Sequence, residues 1–227
     1  MDLCDISQIK SLLARHGFRF SKSMGQNFLI ADWVPRDIAE ASSAGPGVGV
    51  LEVGPGIGPL TQQLCRRAGR VTAVEVDRSL APVLQETLGE YSNLHILWQD
   101  ILKVDIPALV QAELPGLRPM ACANLPYYIT SPVLTALLEA RCFSSVTVMV
   151  QKEVAQRMAA APGSGDSSAF TVFCNYYAQP ELLFDVPPSC FLPQPKVTSS
   201  VVRLDIRQSP PCPVEDEALF FRVVRAS

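Results

Sequence analysis

Histidine is scarce in this chain: two residues in 227, alongside only two tryptophans. A metal centre built on imidazole therefore has almost nothing to draw on, and no metal is expected. The seven cysteines (Cys4, Cys65, Cys122, Cys142, Cys174, Cys190 and Cys212) are odd in number and contain no C-x-x-C pair. Several fall in apolar runs, where a free thiol behaves as a small hydrophobe. That pattern argues against a zinc site or a disulfide framework and for a reducing compartment. No apolar run reaches the length needed to span a bilayer, and the first residues carry no secretory pattern. A cytoplasmic protein with no membrane partner is expected. A basic excess is also missing. The net charge is −3, so a nucleic-acid site would have to be a local patch.

What the chain does have is a core-forming composition, 48% hydrophobic and 18% charged, in enough residues for one sizeable domain. Its centre of gravity is the stretch Gly49-Val50-Leu51-Glu52-Val53-Gly54-Pro55-Gly56-Ile57-Gly58. A β-branched run enters a glycine-rich turn, and helical spacing follows. This predicts a buried strand feeding a loop whose backbone a ligand can approach. A dinucleotide loop would read G-x-G-x-x-G, with phosphate over the helix N-terminus. Here the third glycine arrives one residue early, and Glu52 precedes the loop. A carboxylate there suits a cationic ligand better than a phosphate. Taken alone, the loop is also compatible with a plain strand-to-helix turn.

Along the chain, residues 6–16 have helical spacing with Ile6, Ile9, Leu12 and Leu13 on one face. Lys10, Arg15, Arg19 and Lys22, interleaved with Phe18 and Phe20, make this the most basic part of the sequence. Arg15, Arg19 and Lys22 are candidates either for RNA phosphate contact or for plain solvation. A second helix is expected over residues 33–42. Strand and helix patterns then alternate, with strands over 71–76, 94–98, 120–123 and 146–150 and helices over 61–67, 80–88, 107 onward, 132–140 and 152–160. Strands separated by single helices predict a parallel α/β sheet with helices on both faces. Residues 170–177, 182–186 and 201–206 read as a closing set of antiparallel strands. Residues 1–207 form one catalytic domain in this reading. Residues 208–227 are a linker and a short helical run with few groups to bury, expected to begin a further helical domain.

Three acids fall at consecutive strand ends: Glu52, Glu75 and Asp100. Ligands in open α/β sheets sit outside the carboxyl ends of the strands. Glu75 is placed to accept from ribose hydroxyls and Asp100 from an adenine amino group. Together with the glycine loop they describe a site for an adenosine without phosphates, which S-adenosylmethionine fits. One strand further on stands Asn124-Leu125-Pro126-Tyr127. Methylating an exocyclic amine requires acceptors for its hydrogens, so that the nitrogen lone pair turns toward the incoming methyl. The Asn124 side chain and the Leu125 carbonyl can supply them, Pro126 stiffens the turn, and Tyr127 offers a face for base stacking.

The motifs G-Q-N-F-L at 25–29, L-E-V-G-P-G-I-G at 51–58, V-E-V-D at 74–77, Q-D at 99–100, N-L-P-Y at 124–127, Q-K-E-V-A-Q-R at 151–157 and V-P-P-S-C-F-L-P-Q-P-K-V at 186–197 span nearly the whole chain. In this order they resemble the rRNA adenine dimethyltransferase family, KsgA/RsmA type. The resemblance implies a Rossmann-like class I S-adenosylmethionine-dependent methyltransferase with a mostly parallel seven-stranded sheet. The activity it implies is dimethylation of two adjacent adenosines near the 3′ end of small-subunit (16S) rRNA in immature small ribosomal subunits, by a monomeric enzyme. It implies cofactor contacts from Gln26, Asn27, Leu29, Glu52, Gly54, Gly56, Gly58, Glu75, Val76, Asp100, Ile101 and Asn124. Phe191 would face Tyr127 across the target base, and Lys196 would be an RNA phosphate contact. The family commonly has a glycine and often a basic residue where Ser167-Ser168-Ala169-Phe170 stands here. Two alternatives stay open. One is a large-subunit rRNA adenine methyltransferase, whose members commonly carry isoleucine at the position of Leu125. The other is a non-catalytic ribosome-assembly factor.

Overall fold

In the computed structural model, residues 1–18, 27–161 and 163–226 are described. The elements run α1 (Ile6–Arg15), β1 (Phe28–Leu29), α2 (Trp33–Ala41), β2 (Val48–Val53), α3 (Pro59–Cys65), β3 (Arg70–Glu75), α4 (Ala81–Leu88), β4 (Leu94–Trp98), α5 (Ile106–Glu113), β5 (Arg118–Asn124), α6 (Thr130–Glu139), β6 (Ser145–Gln151), α7 (Lys152–Ala159), α8 (Ala169–Tyr177), β7 (Ala178–Val186), β8 (Phe191–Leu192), β9 (Ser199–Ile206) and α9 (Glu217–Ala226).

Seven strands form one sheet in the order β4-β3-β2-β5-β6-β9-β7. The order reverses between β2 and β5, where a crevice opens at the strands' carboxyl ends. Strands β4, β3, β2, β5 and β6 pair in parallel; β9 lies antiparallel between β6 and β7. All six residues of β2 are buried, as a strand covered on both faces requires. Its side chains alternate as the pleat dictates. Leu51 and Val53 enter the core with α5, α6 and α8, while Val48 and Val50 enter the core with α2 and α3. Pro107 sits in the first turn of α5, where its missing N–H costs nothing, and Asp105 caps that helix by accepting from the Ala108 N–H at 3.0 Å. In α1, Ile9, Leu12 and Leu13 are buried but Ile6 is exposed.

Two expectations are corrected. Residues 170–177, read as a strand from their aromatic and β-branched content, are the helix α8. Ser168 and Thr171 form a reciprocal capping box at its start, and the helix buries Phe173, Cys174, Tyr176 and Tyr177 on one side. The local start signal outweighs β propensity. The sheet therefore closes with one antiparallel strand, β9, rather than an antiparallel set. The terminal helical run also buries more than its sequence promised. Phe221 of α9 packs against Phe173, Tyr176 and Tyr177, and Glu217 accepts from both Arg141 and the Tyr176 hydroxyl. Its partners lie forty or more residues away and do not show in its own periodicity. None of the described helices is long and apolar enough to cross a membrane.

A second, two-stranded sheet matters more for the site than for the core. β1 and β8 pair antiparallel, placing Phe28 opposite Leu192 and Leu29 opposite Phe191. The Ile30 N–H donates to the Cys190 carbonyl at 2.8 Å and extends the pairing. The N-terminal segment is thus laced to the segment after β7, above the ends of the parallel strands.

Candidate active site

A cavity opens at the carboxyl ends of β2, β3 and β5, under the β1–β8 ribbon. Glu52, Gly54, Gly56, Glu75, Val76, Asp100 and Ile101 line it from β2, β3, β4 and the turns that follow them, Asn124, Leu125, Pro126 and Tyr127 from the end of β5, and Asn27, Leu29 and Phe191 from the ribbon. The residues from Glu52 to Tyr127 meet here because the parallel strands end at the same edge, and the ribbon brings Asn27, Leu29 and Phe191 over them.

The glycine loop is shaped by its backbone. Gly56 has φ +59°, a left-handed value that costs a residue with a Cβ free energy, and in this conformation its N–H donates to Glu75 Oε2 at 3.3 Å. Gly58 serves a different end from the one expected of it. It does not line the cavity. A Cβ there would come within 2.9 Å of the Leu88 side chain, so this glycine lets α3 start close against α4.

Glu75 ends β3, nine-tenths buried, and its carboxylate is fixed by the Gly56 N–H and by the Asp77 N–H at 2.9 Å to Oε1. Burial raises its pKa, and these N–H donors oppose the rise. A carboxylate so oriented still has lone pairs to offer, the arrangement that accepting ribose hydroxyls needs. Asp100 uses Oδ1 to cap the short turn after β4, accepting from the Leu102 N–H at 3.1 Å.

Glu52 is the most unusual group. It is 1% exposed, in register with Ala73 on β3 and Cys122 on β5, and its Oε2 has no hydrogen-bond partner. The nearby Thr61 hydroxyl is likewise buried without one. Burial pushes the Glu52 carboxyl up to about 8; the adjacent Thr61 hydroxyl opposes the rise and the charge of Glu75 adds to it. The neighbouring Cys65 and Cys122 thiols are pushed up by burial too and stay neutral. A buried carboxyl with an orphaned oxygen beside an open cavity is stabilised by a cation and destabilised by a phosphate.

On the other side, Asn124 closes β5, half-buried, with no hydrogen bond to its side chain among the described residues. Its amide is free to meet a ligand. Tyr127 is half-buried in a short turn, and its hydroxyl lies 2.8 Å from Ser199 Oγ. Phe191, 1% exposed, forms part of the same wall.

Of the proposed RNA contacts, Arg15 does not reach the cavity and is ion-paired with Glu86. Lys196 is exposed and stands apart from the cavity lining. Gln26, Arg19 and Lys22 lie outside the described residues. Tyr128, 58% exposed at the cavity mouth, was not anticipated, although its place beside Tyr127 was a visible signal. Ser199 carried no signal at all, since its contact depends on β9 returning antiparallel.

The sheet order and the acid-lined cavity define a Rossmann-like methyltransferase. The pattern of the family described as ribosomal RNA adenine dimethylase matches residues 17–227, and the chain belongs to that family. The chain is 46% identical over 228 residues to ribosomal RNA small subunit methyltransferase A of Geobacillus kaustophilus, covering 100% of this chain and 78% of that protein. The protein of the same name from Alkaliphilus oremlandii is 46% identical over 217 residues, covering 95% of this chain and 76% of its own length. Among solved structures, the 23S rRNA methyltransferase ErmE superposes with a TM-score of 0.71 at 30% identity, over 88% of this chain and 76% of that one. A dimethyladenosine transferase from Plasmodium falciparum gives 0.68 at 30% identity, over 79% of this chain and 63% of its own.

Proposed function

We propose that this protein transfers methyl groups from S-adenosylmethionine to the exocyclic amino nitrogens of two adjacent adenosines near the 3′ end of small-subunit rRNA, giving dimethyladenosines. The observation that carries the reading is the meeting, in one cavity, of the strand-end acids with Asn124, Tyr127 and Phe191. The names of the relatives at 46% identity support the small-subunit assignment. The reading places the enzyme in the cytoplasm, acting as a monomer on immature small subunits. Residues 1–207 hold its catalytic groups, and α9 packs against α8 of the same core.

The residues present fit the donor. Glu52 has an unpartnered buried oxygen for a cationic ligand, Glu75 an oriented carboxylate for a ribose, and Asp100 a carboxylate beside the adenine position. Asn27 and Leu29 close the site from the N-terminal segment, Gly54 and Gly56 let the backbone come near, and Val76 and Ile101 provide apolar surface for the adenine. When bound, S-adenosylmethionine supplies an electrophilic methyl carbon on a positively charged sulfur. The chain's own contribution is to place the acceptor. The Asn124 amide oxygen and the Leu125 carbonyl accept the two amino hydrogens, which turns the nitrogen lone pair toward the donor side. Tyr127 and Phe191 hold the unstacked base between two ring faces. No strong general base is required, because the proton leaves the alkylated nitrogen for water after transfer. Arg15, Arg19, Lys22 and Lys196 are proposed contacts to RNA phosphates.

The 30% identity to a 23S rRNA methyltransferase keeps the large-subunit reading in the test. Radiolabelled methyl transfer to unmethylated small subunits, large subunits and DNA distinguishes them. Incorporation into small subunits alone is expected. Incorporation only into large-subunit RNA overturns the assignment, and binding to small subunits with no incorporation turns it into an assembly factor.

A further inference from the structure

Resting on that reading of the base site, we infer that Ser199 is a positioning residue for methyl transfer: its hydroxyl fixes the ring of Tyr127 before the target base arrives. The two hydroxyl oxygens are 2.8 Å apart. Tyr127 sits in a short turn beyond β5, whereas Ser199 opens β9, two strands away in the sheet order. The bond therefore reaches over the end of β6 and ties the base platform to a different part of the fold.

The anchor end is rigid. Ser199 is fully buried and pairs on both sides, with Gln151 of β6 and Val186 of β7. The preceding residue is held as well, since the Lys152 N–H donates to the Thr198 carbonyl at 3.0 Å. The following one is held by Ser200 Oγ donating to Asp185 at 2.6 Å, while Asp185 also pairs with the Lys152 ammonium at 2.5 Å. The far end is not rigid. Tyr127 is half-buried and, among the described residues, its hydroxyl has no hydrogen-bond partner but Ser199, so without Ser199 the ring could rotate about its side-chain bonds. A platform already in place spares the complex the cost of ordering it when the base enters. Phe191 needs no such device, because burial and the β1–β8 pairing immobilise it. Phe191 is thus held by packing, and the Tyr127 hydroxyl by a hydrogen bond.

The test compares Ser199→Ala, Ser199→Thr, Tyr127→Phe and the double variant Ser199→Ala/Tyr127→Phe on unmethylated small subunits, with donor affinity read by calorimetry. Ser199→Ala is expected to lower kcat by about 2- to 10-fold, the range for one lost hydrogen bond. Donor affinity should stay at the wild-type value, and Ser199→Thr should recover most of kcat. Tyr127→Phe keeps the ring and removes the same bond, so it should lose the same factor, and the double variant no more than either. Wild-type kcat in Ser199→Ala, or losses that multiply in the double variant, would overturn the inference while leaving the base site standing. If Ser199→Ala fails to fold, Tyr127→Phe decides alone: reduced kcat supports the inference and wild-type kcat overturns it. A wild-type protein that methylates none of the RNAs removes the base-site reading and this inference together.

Discussion

The two sides of the cavity are built on different principles. The proposed donor side is mostly local: apart from Asn27 and Leu29, its residues Glu52, Gly54, Gly56, Glu75 and Asp100 come from three consecutive strand-to-helix turns, and each carboxylate stands at or beside a strand end. The base side is assembled from far apart. Asn124 and Tyr127 follow β5, Phe191 follows β7, and Ser199 begins β9. The donor side is also preorganised electrostatically, with N–H groups fixing Glu75 and the Glu52 carboxyl buried beside it. The base side is preorganised sterically, by two aromatic walls. On the proposed reading, oriented carboxylates meet the small donor and aromatic rings meet the base.

The largest expected effect breaks the base side alone. Asn124→Ala removes an acceptor aimed at the amino group and should lower kcat by on the order of 10²- to 10³-fold, measured in single-turnover methyl transfer. The folded structure should survive, since that side chain holds no other described residue. On the donor side, Glu75→Ala should weaken donor binding about 100-fold, as charge-assisted hydrogen bonds are worth roughly 1.5–3 kcal/mol each. Calorimetry checks this, and unchanged affinity would remove Glu75 from the ribose site. Tyr127→Ala should cost about 10- to 100-fold in kcat/KM, from stacking of roughly 1–3 kcal/mol, with donor affinity kept. An equal loss of donor affinity would show that the two sides are not separable.

Smaller effects sharpen the contrast between holding a ligand and holding the fold. Gly58→Ala places a Cβ against Leu88 at a φ of +97° and should lower stability by about 1–3 kcal/mol in denaturant titrations. Donor affinity of the folded fraction should be nearly unchanged, because Gly58 does not line the cavity.

Glu52 predicts a pH dependence. Its carboxyl titrates near 8 in the folded chain against an ordinary value of 4.5. Between those values the folded state keeps a proton that the unfolded chain has lost, so stability is full below about 4.5 and falls as pH rises through 8. Donor binding should run the opposite way, strengthening with pH, since a cation favours the ionised carboxylate. Glu52→Gln should flatten both profiles, read as melting temperature and donor affinity from pH 5 to 9. A Gln variant with the wild-type slopes would assign them to another group.

Much of the donor side was legible in the sequence because strand-end residues report their own position. A buried run followed by an acid and glycines places that acid at the sheet edge whatever the rest of the chain does. Gly58 misled for the same reason: the motif shows that a glycine is needed, not whether a ligand or Leu88 needs it. The helix α8 was missed because its composition favours a strand, and only the capping pair Ser168–Thr171 marked its start. The aromatic contacts of α9 were invisible because they are made with α8, not within the tail.

By itself the sequence determined the parallel alternation of strands and helices, the acid at each strand end, and the Asn124–Tyr127 turn. Each is set within a few residues by side-chain periodicity and backbone preference. Tertiary structure alone decided that Leu29 lies opposite Phe191, that Ser199 reaches Tyr127, and that Glu52 is buried with one carboxyl oxygen unpartnered among the described residues. Those facts depend on strand order, antiparallel return and burial. All three arise only when segments distant in the chain pack together.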